Sequence, residues 1–209
     1  MPIPDFQGDT FVAFADISGF KEMMKTQETA VRAIDKFYTA GYRILQEEPT
    51  VHGMFISDCA IIFVNAGSTE ERLLKILSVI DRLNRQLLQH EIMLTTSISY
   101  GDFSYHQRLE FQGIEKNPIF GNAYVTSFLD NEAGQPRIQP GQCRIVKKNL
   151  PHVDMTRFLS LEDSGKHWTF YWMTSDPAEI EAFKRMYRDA YQQKYRGMLH
   201  AIKTAANNH

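Results

Sequence analysis

Blocks of apolar residues along the chain predict strands and helices in a definite order. Residues 10–15 have the aromatic and β-branched content of a buried strand, and residues 51–64 read as two short strands joined at a tight turn. Residues 28–46 and 69–89 carry apolar side chains at helical spacing, and residues 93–100 read as a further strand. The resulting order β-α-β-β-α-β is that of the ferredoxin-like α+β unit.

The second half of the chain is less regular until its end. Residues 103–118 are polar and aromatic without a clean period, and residues 163–166 predict a turn before a strand over 168–173. Residues 178–206 then predict one long helix whose apolar stripe docks on the domain or on a second subunit. With no repeat and no sign of a second domain, residues 1–209 are interpreted as one domain with a core over 10–173.

Composition limits the functions open to this chain. Its 209 residues carry a formal net charge of −2, which argues against a broad nucleic-acid-binding surface because such a surface needs an excess of basic residues. Two cysteines, Cys59 and Cys143, fit neither a disulfide framework nor the spacing of a metal site. No stretch reaches the length of a membrane span, and the N-terminus lacks a basic-then-apolar signal. We expect a cytoplasmic protein that binds neither nucleic acid nor membrane.

Two aspartates stand where strands end. Asp16 follows the first strand, and Ser18-Gly19 lets the backbone turn before a helix that begins near residue 21. A carboxylate beside an open turn can hold a divalent cation that carries phosphates, although Asp16 could equally cap the following helix. Asp58 is the only acid in the 51–64 hairpin and sits at its tip. Two carboxylates that share a site need a cation to neutralise them, so the pair predicts a two-metal phosphoryl-transfer site.

These residues resemble the class III nucleotidyl cyclase catalytic domain. The sequence FADISGF around Asp16, followed about forty residues later by an Ile-Ser-Asp hairpin, is similar to the family pattern. Three weaker blocks, over residues 98–102, 119–129 and 165–172, follow in the family's order. The resemblance covers residues 10–173 and implies the ferredoxin-like βαββαβ core of that family, here with an added long C-terminal helix.

The resemblance implies that the ribose 3′-hydroxyl of a nucleoside triphosphate attacks its own α-phosphorus and expels pyrophosphate. Asp16, Asp58 and the carbonyl oxygen of Ile17 would bind two divalent cations, Mn²⁺ or Mg²⁺. One cation would lower the pKa of the hydroxyl and the other would neutralise the leaving group. The residues implied to contact the substrate are Phe14, Ser18, Gly19, Phe20 and Lys166, with backbone N–H groups of the 18–20 turn facing phosphate and Lys166 clamping the triphosphate.

The positions that read a purine in adenylyl and guanylyl cyclases differ here. The usual lysine or glutamate is replaced by His52 or Met54, and its partner by Pro118 or a near neighbour. The asparagine and arginine that steady the ribose and the transition state fall on Val125 and Leu129. The sequence therefore lacks the residues that recognise a purine in this family, whereas the metal-binding aspartates Asp16 and Asp58 are present.

Other residues are candidates for recognising the base and for stabilising the transition state. His52, Met54 and Tyr100 are candidates for a base pocket, although each has an ordinary structural explanation as a core or solvated side chain. Arg137 and Arg144 are candidates to replace the transition-state arginine, although most surface arginines have no such role.

A short cyclase domain with these departures resembles the Pycsar pyrimidine cyclases of bacterial antiviral defence. The resemblance implies conversion of UTP to cyclic UMP, which activates a separate effector protein. It also implies a homodimer with shared active sites, in which base pocket and metals come from one subunit and ribose and transition-state groups from the other. Three alternatives remain: a cytidylate cyclase, a purine cyclase, and a non-catalytic nucleotide-binding module. A diguanylate cyclase relative would show a Gly-Gly-Asp/Glu-Asp/Glu-Phe hairpin, which residues 55–61 lack.

Overall fold

The computed structural model of the protein describes residues 3–111, 114–174, 176–190 and 194–207. The strands are β1 (Phe6–Ile17), β2 (Val51–Ile56), β3 (Cys59–Val64), β4 (Leu94–Tyr105), β5 (Arg108–Phe111), β6 (Ile114–Lys116), β7 (Ile119–Phe120), β8 (Cys143–Val146), β9 (Leu161–Asp163) and β10 (His167–Phe170). The helices are α1 (Phe20–Met23), α2 (Gln27–Gln46), α3 (Thr69–Leu88), α4 (Asn122–Ala133), α5 (Pro177–Ala190) and α6 (Lys194–Asn207), with a 3₁₀ turn over Met155–Arg157.

One eight-stranded sheet organises the domain in the order β2-β3-β1-β4-β8-β10-β9, with β7 beside the end of β4. β1 lies antiparallel to both β3 and β4, and α4 connects β4 to the parallel strand β8. The first six major elements, β1, α2, β2, β3, α3 and β4, form the predicted β-α-β-β-α-β unit, which is therefore confirmed.

The two faces of the sheet are covered differently, because alternate residues of each strand point to opposite sides. Phe11, Ala13 and Ala15 of β1 face the main core, which α2, α3, α5 and α6 cover. Val12 and Phe14 face the opposite side, in a smaller cluster with Ala123, Tyr124 and Phe128 of α4. We call this second side the α4 face. The alternation places Asp16 on the α4 face.

β4 is longer than predicted. It continues through Gly101 to Tyr105, because β1 pairs with it along its whole length, from Ile17 opposite Leu94 to Phe6 opposite Tyr105. Residues 103–118, which show no clean period, contain the separate two-stranded sheet β5-β6, and residues 112–113 at its tip lie outside the described residues.

The C-terminal region contains two helices where the sequence predicts one. A single helix over 178–206 would be about 43 Å long, and its two ends could not both reach the core of this domain. Instead α5 and α6 pack against each other, and Ile180, Phe183 and Ile202 are all buried in the main core. Residues 191–193 between them are outside the described residues. No helix in the described part of the chain combines the length and apolarity needed to cross a membrane.

Candidate metal and nucleotide site

Asp16 and Asp58 meet at one end of the sheet, as the sequence predicts. Asp16 lies one residue before the end of β1 and pairs with Cys59, the first residue of β3. Asp58 occupies the turn between β2 and β3, and its carbonyl oxygen accepts a hydrogen bond from the Ile17 N–H at 2.9 Å. The hairpin tip and the end of β1 are thus joined directly, with no intervening element.

The turn that carries Asp58 has unusual backbone geometry. Ser57 has φ of 55°, in the left-handed region that residues other than glycine, asparagine and aspartate seldom adopt. Ser57 therefore makes a glycine-like turn that presents the following carboxylate at the tip.

Negative charge is concentrated at this site. Burial, together with the nearby charges of Asp58 and Glu132, raises the pKa of Asp16 to about 7. Burial and the same carboxylates also raise the pKa of the Cys59 thiol to about 11. An aspartate that resists ionisation beside two other acids indicates a place where a bound cation would lower the electrostatic cost.

The oxygen ligands available fit a hard divalent cation such as Mg²⁺ or Mn²⁺, which prefers carboxylate and carbonyl oxygens. Among the described residues, no three His, Cys, Asp or Glu side chains are grouped as a metal site. A cation would therefore depend on Asp16, Asp58, the Ile17 carbonyl oxygen and the oxygens of a bound ligand. This ligand set suits an ion that arrives with a phosphate group.

One backbone amide of the turn after β1 is already hydrogen-bonded within the fold. The Ser18 N–H donates to the Met93 carbonyl oxygen at 2.9 Å, so it is not available to phosphate in this conformation, contrary to the prediction. Ser18 Oγ is buried without a hydrogen-bond partner among the described residues. Gly19 is exposed with φ of 77°, and α1 follows it as a single turn. The predicted phosphate contact stays a prediction for the amides of Gly19 and Phe20.

Phe14 and the Phe20 side chain belong to the core. Phe14 is 4% exposed, and its ring lies edge-on to that of Phe128 with 5.2 Å between centroids. Phe20 is buried in the main core. The predicted contact of the Phe14 side chain with substrate is therefore corrected: it supports the strand from which Asp16 projects.

Of the remaining candidates, His52 and Tyr100 lie away from the aspartates. Strand register puts His52 level with Val12 and Tyr100 level with Phe11, about 13–17 Å along the sheet from Asp16. Tyr100 packs edge-on against Phe11 in the main core, on the opposite face from Asp16. Met54 is nearer, level with Phe14, and packs in the cluster of the α4 face.

Lys166 lies at the far end of the sheet as well. Its carbonyl oxygen accepts from the Lys147 N–H just beyond the β8-β10 pairing, and its side chain is exposed. The register of β8 and β10 places it level with Tyr100, three strands from β1. One subunit therefore carries Asp16 and Asp58 at one end, and His52, Tyr100 and Lys166 toward the other. His52 and Lys166 are thus far from the aspartates of their own subunit, whereas Met54 lies near them.

α4 brings residues to the site that sequence reasoning missed. Asn131 is buried, donating to the Phe14 carbonyl oxygen at 3.4 Å and accepting from the Thr95 hydroxyl at 3.1 Å. The next residue, Glu132, is exposed and contributes to the raised pKa of Asp16. The one sequence signal for Glu132 is helical spacing: it lies four residues after Phe128 and therefore on the same side of α4. Val125 and Leu129 are 46% and 55% exposed.

The two arginine candidates have opposite environments. Arg144 is buried, with Nε 2.7 Å from Asp130 Oδ2, and its guanidinium also donates to the Pro136 and Asp130 carbonyl oxygens. It is thus fully engaged in holding α4 on the sheet, and the transition-state role predicted for it is corrected. Arg137 is exposed.

Two clefts on the described part of the molecule lie away from this site. One of about 430 Å³ lies between α3 and the segment 158–174, and one of about 240 Å³ lies between α2 and the turn after α3. Neither is lined by Asp16 or Asp58.

Comparison with known proteins identifies the fold. No protein-family model and no curated protein sequence matches the chain. The adenylyl cyclase CyaB from P. aeruginosa matches with a TM-score of 0.59 and 14% identity over 80% of this chain and 96% of that chain. The guanylate cyclase domain of RhGC from Catenaria anguillulae, in complex with GTP, matches with a TM-score of 0.56 and 12% identity over 80% of this chain and 98% of that chain.

A bacterial light-regulated adenylyl cyclase matches with a TM-score of 0.58 and 13% identity, over 81% of this chain and 54% of that chain. At such identities the likeness establishes the fold alone. The predicted α+β fold of a class III cyclase catalytic domain is confirmed.

Proposed function

We propose that the protein is a nucleotidyl cyclase that converts UTP to 3′,5′-cyclic UMP and pyrophosphate. The observation that carries this proposal is the meeting of Asp16 and Asp58 at one end of the sheet, in a domain with the fold of adenylyl and guanylyl cyclases. A binding module has little reason to keep two adjacent carboxylates, because they repel each other unless a cation is bound.

In this proposal Asp16, Asp58 and the Ile17 carbonyl oxygen hold two divalent cations, Mn²⁺ or Mg²⁺. When bound, these ions neutralise the triphosphate and lower the pKa of the attacking hydroxyl. Asp16 acts as an ionised ligand, so its raised pKa makes cation binding weaker at acidic pH. The exposed turn at Gly19 gives the backbone access to phosphate oxygens.

A homodimer completes the proposed site. Asp16 and Asp58 lie at one end of the subunit, whereas His52 and Lys166 lie toward the other. A head-to-tail pair would place the second group of one subunit opposite the first group of its partner, forming two equivalent sites. The exposed apolar side chains of α4 supply a surface for such a contact; they are Phe120 (just before the helix), Val125 and Leu129.

Specificity for a pyrimidine is supported by what replaces the purine-reading residues. His52 is partly buried, burial lowers its pKa, and its Nε2 has no hydrogen-bond partner among the described residues. A neutral imidazole at this place is unlike the lysine or glutamate that reads a purine. Uridine is favoured over cytidine by resemblance to the Pycsar cyclases, as are the separate effector and the antiviral role. The free thiols of Cys59 and Cys143 fit a reducing cytoplasm.

The test is incubation of the purified protein with each of the four ribonucleoside triphosphates and Mn²⁺, with products identified by mass spectrometry. Wild type is expected to release cyclic UMP, and Asp58→Asn to lower the rate at least about 100-fold. Asp9→Asn, at an exposed aspartate on β1 seven residues before Asp16, is the matched control and should keep the activity.

Other products would assign a different substrate to the protein. Cyclic CMP would establish a cytidylate cyclase, and cyclic AMP or cyclic GMP would establish a purine cyclase with an altered base pocket. Absence of product from all four triphosphates would contradict an active cyclase. That result would favour the non-catalytic module, for which the apolar Val125 and Leu129 at the family's asparagine and arginine positions are the specific support.

A further inference from the structure

A cleft of about 240 Å³ lies between α2 and the turn that joins α3 to β4. Its walls include Thr29, Arg32 and Lys36 from the first turns of α2, and His90 and Glu91 from the turn after α3. It is smaller than the pockets of about 300–1,000 Å³ that hold drug-sized ligands, so it suits a small solute.

The cleft carries two cations without counter-charges. Arg32 and Lys36 stand one helical turn apart, a like-charge spacing that weakens a helix. Within the described part of the chain, neither lies within 4.0 Å of a carboxylate oxygen, and Glu28 and Asp35 on the same helix do not pair with them. Glu91, the acid among the lining residues, is 3.0 Å from Lys203. The lining therefore has a net positive charge.

Further donor side chains and the N-terminal end of α2 also face this cleft. Thr29 brings a hydroxyl and His90 an imidazole to the same cleft. The cleft lies beside the N-terminal half of α2, a 20-residue helix whose N-terminus carries the positive end of the helix dipole. Two cations, two further donor side chains and the positive helix end together favour an oxyanion over a neutral or cationic ligand.

We propose that this cleft is a binding site for a small phosphate-bearing anion, held by Arg32 and Lys36 with Thr29 and His90 as further donors. The cleft is connected to the Asp16 turn through two segments that line it. Met23 of α1 lines the cleft, and α1 directly follows the turn after Asp16. Ile92 also lines it and precedes Met93, whose carbonyl oxygen holds the Ser18 N–H. An anion here contacts both segments that frame the Asp16 turn.

The probe is labelled inorganic phosphate, measured by equilibrium dialysis at low salt in the presence of a metal chelator. Wild type is expected to bind phosphate with a millimolar dissociation constant. The double variant Arg32→Gln/Lys36→Gln is expected to bind about 100-fold more weakly, about tenfold for each charge-assisted contact. Arg43→Gln, an exposed cation on the same helix outside the cleft, is the matched control and should bind like wild type.

Thermal unfolding gives an independent readout. Phosphate should raise the melting temperature of wild type and not that of the double variant, while the phosphate-free double variant should be at least as stable because the like-charge pair is removed. Asp58→Asn should bind phosphate as wild type does, which separates this cleft from the cyclase site. The proposal is overturned if wild type binds no phosphate at about 10 mM. It is equally overturned if the double variant binds like wild type, or if Asp58→Asn alone abolishes binding.

Discussion

Asp130 and Arg144 form a buried ion pair on the α4 face, with side chains 11% and 7% exposed. The same carboxylate accepts from the Ser97 hydroxyl at 2.6 Å, and its other oxygen lies 2.8 Å from His167 Nε2. One side chain of α4 thus contacts β4, β8 and β10 together. Because Asn131 and Glu132 follow Asp130 directly, this anchor also sets where α4 meets Asp16.

Removing the cation of this pair should destabilise the fold. Arg144→Met leaves the buried Asp130 carboxylate without its main counter-charge, and we expect a loss of about 3–5 kcal/mol in the free energy of unfolding. Arg137→Met, at an exposed position, is the matched control and should change it by less than about 0.5 kcal/mol. Urea denaturation followed by circular dichroism measures both. A loss below about 1 kcal/mol for Arg144→Met would contradict the anchoring role.

Asp16 should make the metal-free protein less stable as pH rises. Its pKa is about 7 in the folded state and near 3.8 in the unfolded chain, so the unfolded state loses this proton first. The contribution of the protonated Asp16 carboxyl to the free energy of unfolding is therefore fully present below about pH 4. It falls as pH rises and is lost above about pH 7.

Asp16→Asn removes this titration, so its stability advantage over wild type should grow between pH 4 and pH 7 and then stay constant. Because Asp16 is partly exposed, solvent screening reduces the expected advantage to about 1–2 kcal/mol. Urea denaturation in a metal chelator across this pH range, with Asp9→Asn as control, measures it. An advantage that does not change with pH would show that Asp16 ionises normally in the folded protein.

Sequence patterns predict the parts of this fold that depend on local order. The strand before Asp16, the hairpin around Asp58 and the helices over 28–46 and 69–89 each carry a strong periodic or turn signal, and all four are present. The meeting of the two aspartates follows from the same local signals, because a hairpin packed beside the first strand leaves little choice of position.

The missed features depend on contacts between distant segments. The partners of Asp130 come from residues 97, 144 and 167, and no spacing in the sequence indicates that they meet. The separation of Lys166 from Asp16 depends on the register of four strands. The apolar stripe over 178–206 fits one straight helix or two packed helices equally well, since periodicity does not encode the turn between them.

Close contact between α4 and β4 makes Gly121 sensitive to substitution. A Cβ atom at this position would lie 2.3 Å from the Asp102 carbonyl oxygen, and φ is 128°. We expect Gly121→Ala to cost about 3 kcal/mol or more, because backbone has to move and the start of α4 with it. Gly165→Ala is the control: its φ of 75° is also left-handed, but nothing lies within 4 Å of the added atom.

The control should therefore cost only about 1 kcal/mol, the conformational penalty alone. Thermal or urea unfolding of both variants gives the comparison. Equal losses for the two glycines would mean that backbone conformation, and not the approach of α4 to β4, makes Gly121 necessary.

The exposed apolar residues of α4 provide the test of the proposed dimer. Val125 and Leu129 lie one turn apart and are 46% and 55% exposed, so a glutamate at position 129 would place a charge within the contact. Leu129→Glu is expected to shift the protein from dimer to monomer in sedimentation velocity and to abolish cyclic nucleotide formation, because the Asp16 end then lacks its partner. Leu159→Glu, at a leucine that is 63% exposed elsewhere, should leave both unchanged. A Leu129→Glu protein that remains dimeric would exclude this face of α4 from the interface, and an active monomer would show that one subunit holds the complete site.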